Sequence, residues 1–216
     1  MLLSQATALA WIARSLDLHA AKGGILGFFA MSAGLTALMA ERYQNHGNTL
    51  ALYWAIACAG LAACSAFLWW VARSDVPVDR GPTPAVVRGS FLMWSAALAL
   101  VMVMLLARMP VVFPWSLKPE SSVAFGLMFS ASAVYYFDGF LRPSWSNAIG
   151  QLLAFLVYDL VLIVPWMLQL ATARGGFFIS LVIYLMVLIW SGLLAIFFLF
   201  MHPTTRIIGR ARSASA

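Results

Sequence analysis

Charge is scarce in this chain. Asp, Glu, Lys and Arg make up 9% of its 216 residues, against about a quarter of an ordinary soluble domain. With 63% hydrophobic residues and a mean hydropathy of +0.92, that scarcity excludes a water-soluble fold and places the chain in the membrane class. Histidine is equally sparse. His19, His46 and His202 all fall at helix ends or in loops, so no pair of them can clamp a haem across the bilayer interior. The two cysteines, Cys58 and Cys64, are six residues apart in an apolar run, which on a helix turns them about 120° from one another. That spacing supports neither a disulfide nor a metal pair, and both read as packing residues. There is no HExxH, no His-rich carboxylate box and no cysteine with a base beside it, so no cofactor and no metal are expected.

The net charge of +6 is not a nucleic-acid footprint. Its thirteen Lys and Arg stand singly at the ends of apolar runs, and only Arg206, Arg210 and Arg212 approach a cluster. That distribution follows the positive-inside rule and names the lipid bilayer as the partner, with no nucleic acid.

What the chain does have is long apolar runs. Residues 1–18 are too short to span and are broken by Arg14 and Asp17, which predicts a helix lying along the interface rather than a cleaved signal peptide. Six segments then have the length needed to cross about 30 Å of hydrocarbon, at about 23–40, 49–72, 89–109, 122–140, 148–171 and 177–201. The expected fold is all-α, a polytopic bundle of six transmembrane helices after the interfacial one, forming a single integral-membrane domain over 1–216.

Small residues mark the first two spans. Gly23, Gly27, Ala30 and Gly34 form one ridge, and Ala55, Ala59 and Ala63 another at four-residue spacing; such ridges let a second helix approach closely. Trp69 and Trp70 end the second span, and Trp115 sits in the Pro-rich stretch PVVFPWSLKPE; all three are expected to anchor at headgroup level,. The segment Ser74–Arg88, with three prolines and four charges, is the one clear extramembrane linker,.

With six spans, one side holds Arg14, Lys22, Arg73, Arg80, Arg88, Arg142, Arg206, Arg210 and Arg212, the other Arg42, Arg108, Lys118 and Arg174. The bias puts both termini in the cytoplasm. Aligning Gly27 with Gly126 also places Asn48 on Asn147, a hint of an inverted repeat with three spans in each half.

One residue is out of place. Asp159 sits in LVYDLVLIVPW, inside the fifth span. A carboxylate at mid-bilayer costs about 2.5 to 3.5 kcal/mol on insertion scales, so it must face protein or a water-filled cavity. At 100° per residue, Gln151, Tyr158, Asp159 and Gln169 fall with Phe155, Leu162 and Trp166 inside an arc of about 100°. Pro165 removes a backbone donor within that helix and is a candidate hinge. None of the basic residues lies at this depth, which favours the neutral acid. Ser32, Thr36, Ser130, Ser132, Tyr184 and Ser191 lie within a few turns of it in depth and are the candidate hydrogen-bond partners. Two readings of Asp159 are open: glue between helices, or a group that takes up and releases a proton or cation during transport. At another face Glu41, Arg42, Tyr43, Asn45 and His46 lie together, either as a solvated helix end or as groups acting on a lipid headgroup.

The loop FPWSLKP, followed by SSVAFGLMFSASA, resembles a loose group of uncharacterised bacterial six-helix membrane proteins with a PW-x-L-x-P loop between their third and fourth spans. The resemblance covers about a fifth of the chain and implies six helices in a bacterial inner membrane; it brings no activity with it. The expected function is a non-catalytic accessory or assembly subunit in contact with other membrane-protein subunits. The alternatives are a small proton-coupled transporter using Asp159, and a lipid-modifying enzyme using the Glu41–His46 face.

Overall fold

In hydrocarbon every backbone N–H and C=O must be satisfied within the segment, so long apolar runs fold as helices. The computed structural model describes residues 2–77, 79, 81–109, 112–113, 117–171 and 176–207. Its helices are α1 (Leu2–Ser15), α2 (Leu18–His46), α3 (Thr49–Ala72), α4 (Ala85–Leu106), α5 (Pro119–Leu141), α6 (Trp145–Leu170) and α7 (Gly176–Ile196), the last continuing into a π-helical turn, Phe197–Met201. From α2 onward six helices are long and apolar enough to cross a membrane. The chain is therefore a multi-pass membrane protein, all-α among its described residues, preceded by one short helix.

Polar residues set the helix ends. Asp17 and Asn48 cap α2 and α3, each carboxyl or amide oxygen accepting a first-turn N–H,. Gly47, at φ 63°, closes α2 in the left-handed conformation and returns its N–H to the Tyr43 carbonyl,. Pro119 opens α5, where a missing N–H costs nothing,. α2 runs well beyond the 23–40 expected from the apolar core alone, because these caps lie outside it.

The chain divides into two compact units. In the first, residues 17–147, α2 packs against α3 and α5, and α5 packs against α4, so the order across the unit is α3, α2, α5, α4. Close approach of α2 and α5 depends on glycine. A Cβ on Gly27 would lie 2.5 Å from the Ala131 carbonyl oxygen, one on Gly23 would strike the Asp138 carboxylate, and one on Gly34 would strike Leu127; Ala30, on the same ridge, is half-buried. Hydroxyls tie the helices further: Ser95 donates to the Ala133 carbonyl at 2.9 Å and Ser122 to Leu105 at 2.7 Å.

The ridge expected on α3 turns out of contact. Ala55 is buried but Ala59 and Ala63 are exposed, and the buried stripe is Ala51, Ala55, Cys58 and Ala62. The reason is helical phase: strict four-residue steps drift about 40° each, whereas steps of four, three and four stay on one face. The spans also group as four and two rather than three and three. Gly27 meets α5 and Gly126 meets Leu105 and Leu106 of α4, and Asn48 is an exposed cap while Asn147 is 1% exposed. The aligned pairs therefore occupy different environments.

The second unit holds residues 1–16 and 148–216. Here Trp166, Leu181, Leu185 and Leu188 form a core, with Tyr158, Leu162, Ile163, Leu170 and Tyr184 packed around it. Beyond the π-helical turn, Thr205 donates to the Phe198 carbonyl at 2.7 Å and the Ile207 N–H to Leu199 at 2.8 Å, folding the segment back on α7.

Candidate functional site

Asp159 lies on α6 and is 4% exposed. It meets α7 through Ser191, whose Oγ is 2.8 Å from Asp159 Oδ2 and also 2.9 Å from the Val187 carbonyl oxygen. The Ser191 hydroxyl is thus placed to donate to the Asp159 carboxyl oxygen or to the Val187 carbonyl of its own helix,. Gly192 faces the carboxyl group, and a Cβ there would make ordinary contact with Oδ2 at 3.4 Å. Asp159 Oδ1 is buried without a hydrogen-bond partner, and among the described residues no Lys or Arg pairs with it.

Beside Asp159, from Tyr158 to Trp166, the contacts are aromatic. The hydroxyls of Tyr158 and Tyr184 are 2.8 Å apart, and Tyr184 stacks on Trp166 with ring centroids 4.7 Å apart. Of the other residues on the expected stripe, Gln151 is fully buried, Gln169 half-buried and Pro165 exposed within the helix. The stripe is thus continuous from Gln151 to Trp166, and of the candidate partners it is Ser191 that reaches the acid.

A second polar cluster lies where α2 begins, α3 ends, α5 ends and α6 begins. Lys22 is 4% exposed. Its Nζ reaches the carbonyls of Asp75 at 2.8 Å and Arg73 at 3.1 Å, and His19 Nδ1 at 3.2 Å. The ammonium therefore caps the C-terminal end of α3, where the helix dipole favours a cation. Asp138, 7% exposed, pairs with Arg142 and accepts from Asn147 at 3.4 Å. Over this end, Pro82 and Ser144 form an isolated antiparallel bridge, with the Thr83 N–H donating to Pro143 and the Trp145 N–H to Gly81.

This cluster was not singled out by sequence patterning, because Lys22 and Asp138 stand near span ends, where charge is ordinary. The signal was present all the same: Gly23 beside Lys22 brings α5 so close that Asp138 must be buried with it. The Glu41–His46 face does not assemble. Arg42 pairs with Glu120 at 3.3 Å, both half exposed, while Glu41 and His46 are exposed and no hydrogen bond among the described residues joins them. Trp69 and Trp70 are exposed, with the Arg73 guanidinium 5.1 Å from the Trp70 ring centroid. Trp115 lies outside the described residues.

Cys58 is buried and Cys64 exposed, both free. Among the described residues no group of three His, Cys, Asp or Glu is placed to hold a metal ion. Comparison of the chain with protein-family models, curated proteins and solved structures gives no match.

Proposed function

We propose that this protein is a non-catalytic accessory or assembly subunit of a larger complex in a bacterial inner membrane, with both termini cytoplasmic. One observation carries the reading: hydroxyls inside the spans are bonded to helix backbone or to a facing helix. Thr36 donates to Ser32, Ser130 to Leu127, Ser95 to Ala133, Ser122 to Leu105, and Ser191 bonds Asp159. The bonds of Ser95, Ser122 and Ser191 fasten one helix to another, and those of Thr36 and Ser130 return to their own helix, a use of polar groups that suits packing more than a path,. The outward face of α3, with Ala59, Gly60 and Ala63 exposed and nothing within 4 Å of a Cβ on Gly60, is where a helix of another subunit fits closely. Purification in mild detergent at native abundance tests this. The protein is expected to migrate with a stoichiometric membrane partner that Gly60→Leu releases; migration alone as a monodisperse species overturns the reading.

A second reading, a small proton-coupled carrier, is favoured by the unpartnered Oδ1 of buried Asp159. It requires a pH-driven flux that depends on that residue.

A further inference from the structure

Two of the long helices start from one joint. Pro82 and Ser144 form an antiparallel bridge, with the Thr83 N–H donating to Pro143 at 3.0 Å and the Trp145 N–H to Gly81 at 2.8 Å. α4 begins just past it at Ala85, and α6 begins at Trp145. Neither has an acidic residue in its first turn, and Pro84, the N-cap of α4, offers no side-chain hydrogen bond. The positive ends of two helix dipoles are therefore held side by side, with no N-cap side chain to answer the first N–H groups of α4.

In an antiparallel bridge alternate residues face the same way, so the side chains of Thr83 and Trp145 leave the joint on one face. Both carry a buried group that can donate and has no hydrogen-bond partner: Oγ1 of Thr83, a residue 7% exposed, and Nε1 of Trp145, 1% exposed. Leaving a buried donor unanswered is costly, so such atoms mark where an acceptor belongs. Arg88 adds a fixed cation. Its Nε donates to the Phe140 carbonyl at 3.0 Å and its guanidinium lies 4.9 Å from the Phe140 ring centroid, while the residue stays exposed. Side chains on a helix lean toward its N-terminus, which sets this cation over the first turn of α4. Next to it Gly89 is exposed, with nothing within 4 Å of a Cβ, which leaves room for a ligand.

The geometry points to a phosphate-binding site at this joint, built from the first N–H groups of α4, the Thr83 hydroxyl, the Trp145 indole N–H and the Arg88 guanidinium. Its ligand is a phosphate group, carried by a lipid headgroup or free in solution. The acids nearby are already engaged: Asp79 Oδ1 accepts from the Gly81 N–H at 2.9 Å, and Asp138 accepts from Arg142 and Asn147. Asn147 Oδ1, in the first turn of α6, is a buried acceptor without a partner and lies outside the donor set. The site uses only residues of the first unit and does not depend on the reading of the protein as an accessory subunit.

The full chain, purified in a sugar detergent without phosphate, is followed by its Tm with inorganic phosphate, dioleoyl phosphatidic acid or dioleoylglycerol added. The site predicts a rise in Tm with a phosphate-bearing addition and none with dioleoylglycerol. A rise with inorganic phosphate assigns the free anion as ligand, and a rise with phosphatidic acid alone assigns the lipid. Thr83→Val keeps the shape and removes the hydroxyl. Without phosphate its Tm is expected to be unchanged or higher, since the deleted group has no partner; the half-saturating concentration is expected to rise about tenfold, as for loss of a hydrogen bond to a charged group. Arg88→Gln, at an exposed position, is expected to weaken binding in the same way. No rise with either phosphate compound, or an equal rise with dioleoylglycerol, overturns the site; so does binding as tight as wild type in both variants.

Discussion

Lys22 and Asp138 are buried near the ends of their helices, and both meet groups that answer their charge: helix carbonyls for the lysine, Arg142 for the aspartate. Asp159 is buried in the middle of its helix and meets a hydroxyl. The difference is one of depth. Near a span end the desolvation of an ion is incomplete and a cation is available from the neighbouring loop; at mid-span neither holds, and a group that persists there is best accommodated by shedding its charge. The first region therefore places charged groups where helices begin and end, and the second places a serine hydrogen bond on an acid where two helices meet.

The largest expected effect lies in the first region. Asp138→Leu leaves Arg142 without its counter-charge, and loss of one partner of a buried pair costs 3–5 kcal/mol; with the Arg142 side chain 30% exposed, a loss of about 3 kcal/mol in mixed-micelle unfolding is expected. A cost near zero would erase the distinction between the two regions. Next is Gly27→Val, which forces α2 off the Ala131 carbonyl. The expected cost is about 1 to 3 kcal/mol by the same assay, and a neutral result would show that α2 and α5 do not approach at that point. Ser191→Ala removes one interhelical hydrogen bond and should cost about 0.6 to 1.7 kcal/mol. The smallest effect is reserved for Asp159→Asn. Its amide oxygen still accepts from Ser191, so unfolding should shift by less than about 0.6 kcal/mol; a loss as large as that of Asp138→Leu would mean that Asp159 works as an ion.

The number and type of helices were legible because a twenty-residue apolar run has a single backbone solution in lipid. α3, Thr49–Ala72, coincides with the second apolar run, since Asn48 before it and Arg73 after it are both polar. The Asp159–Ser191 contact was half legible. The acid was plain, and Ser191 was one of six candidate partners, but choosing among them needed the facing of α6 on α7, which no residue spacing encodes. The Ala55, Ala59 and Ala63 ridge shows where a helix can approach, and the neighbour within the chain takes the adjacent stripe of Ala51, Ala55, Cys58 and Ala62. The Lys22 and Asp138 cluster was invisible to patterning: its members come from four separate stretches of chain and each, taken alone, looks like an ordinary helix end.

Whether Asp159 fastens helices or moves protons is decided by flux. Wild-type protein and Asp159→Asn, reconstituted at equal density, are compared for proton movement across the vesicle under an imposed pH gradient. The structural role predicts no flux above empty vesicles in either. A wild-type flux that Asp159→Asn abolishes would contradict it and make this acid the centre of a carrier.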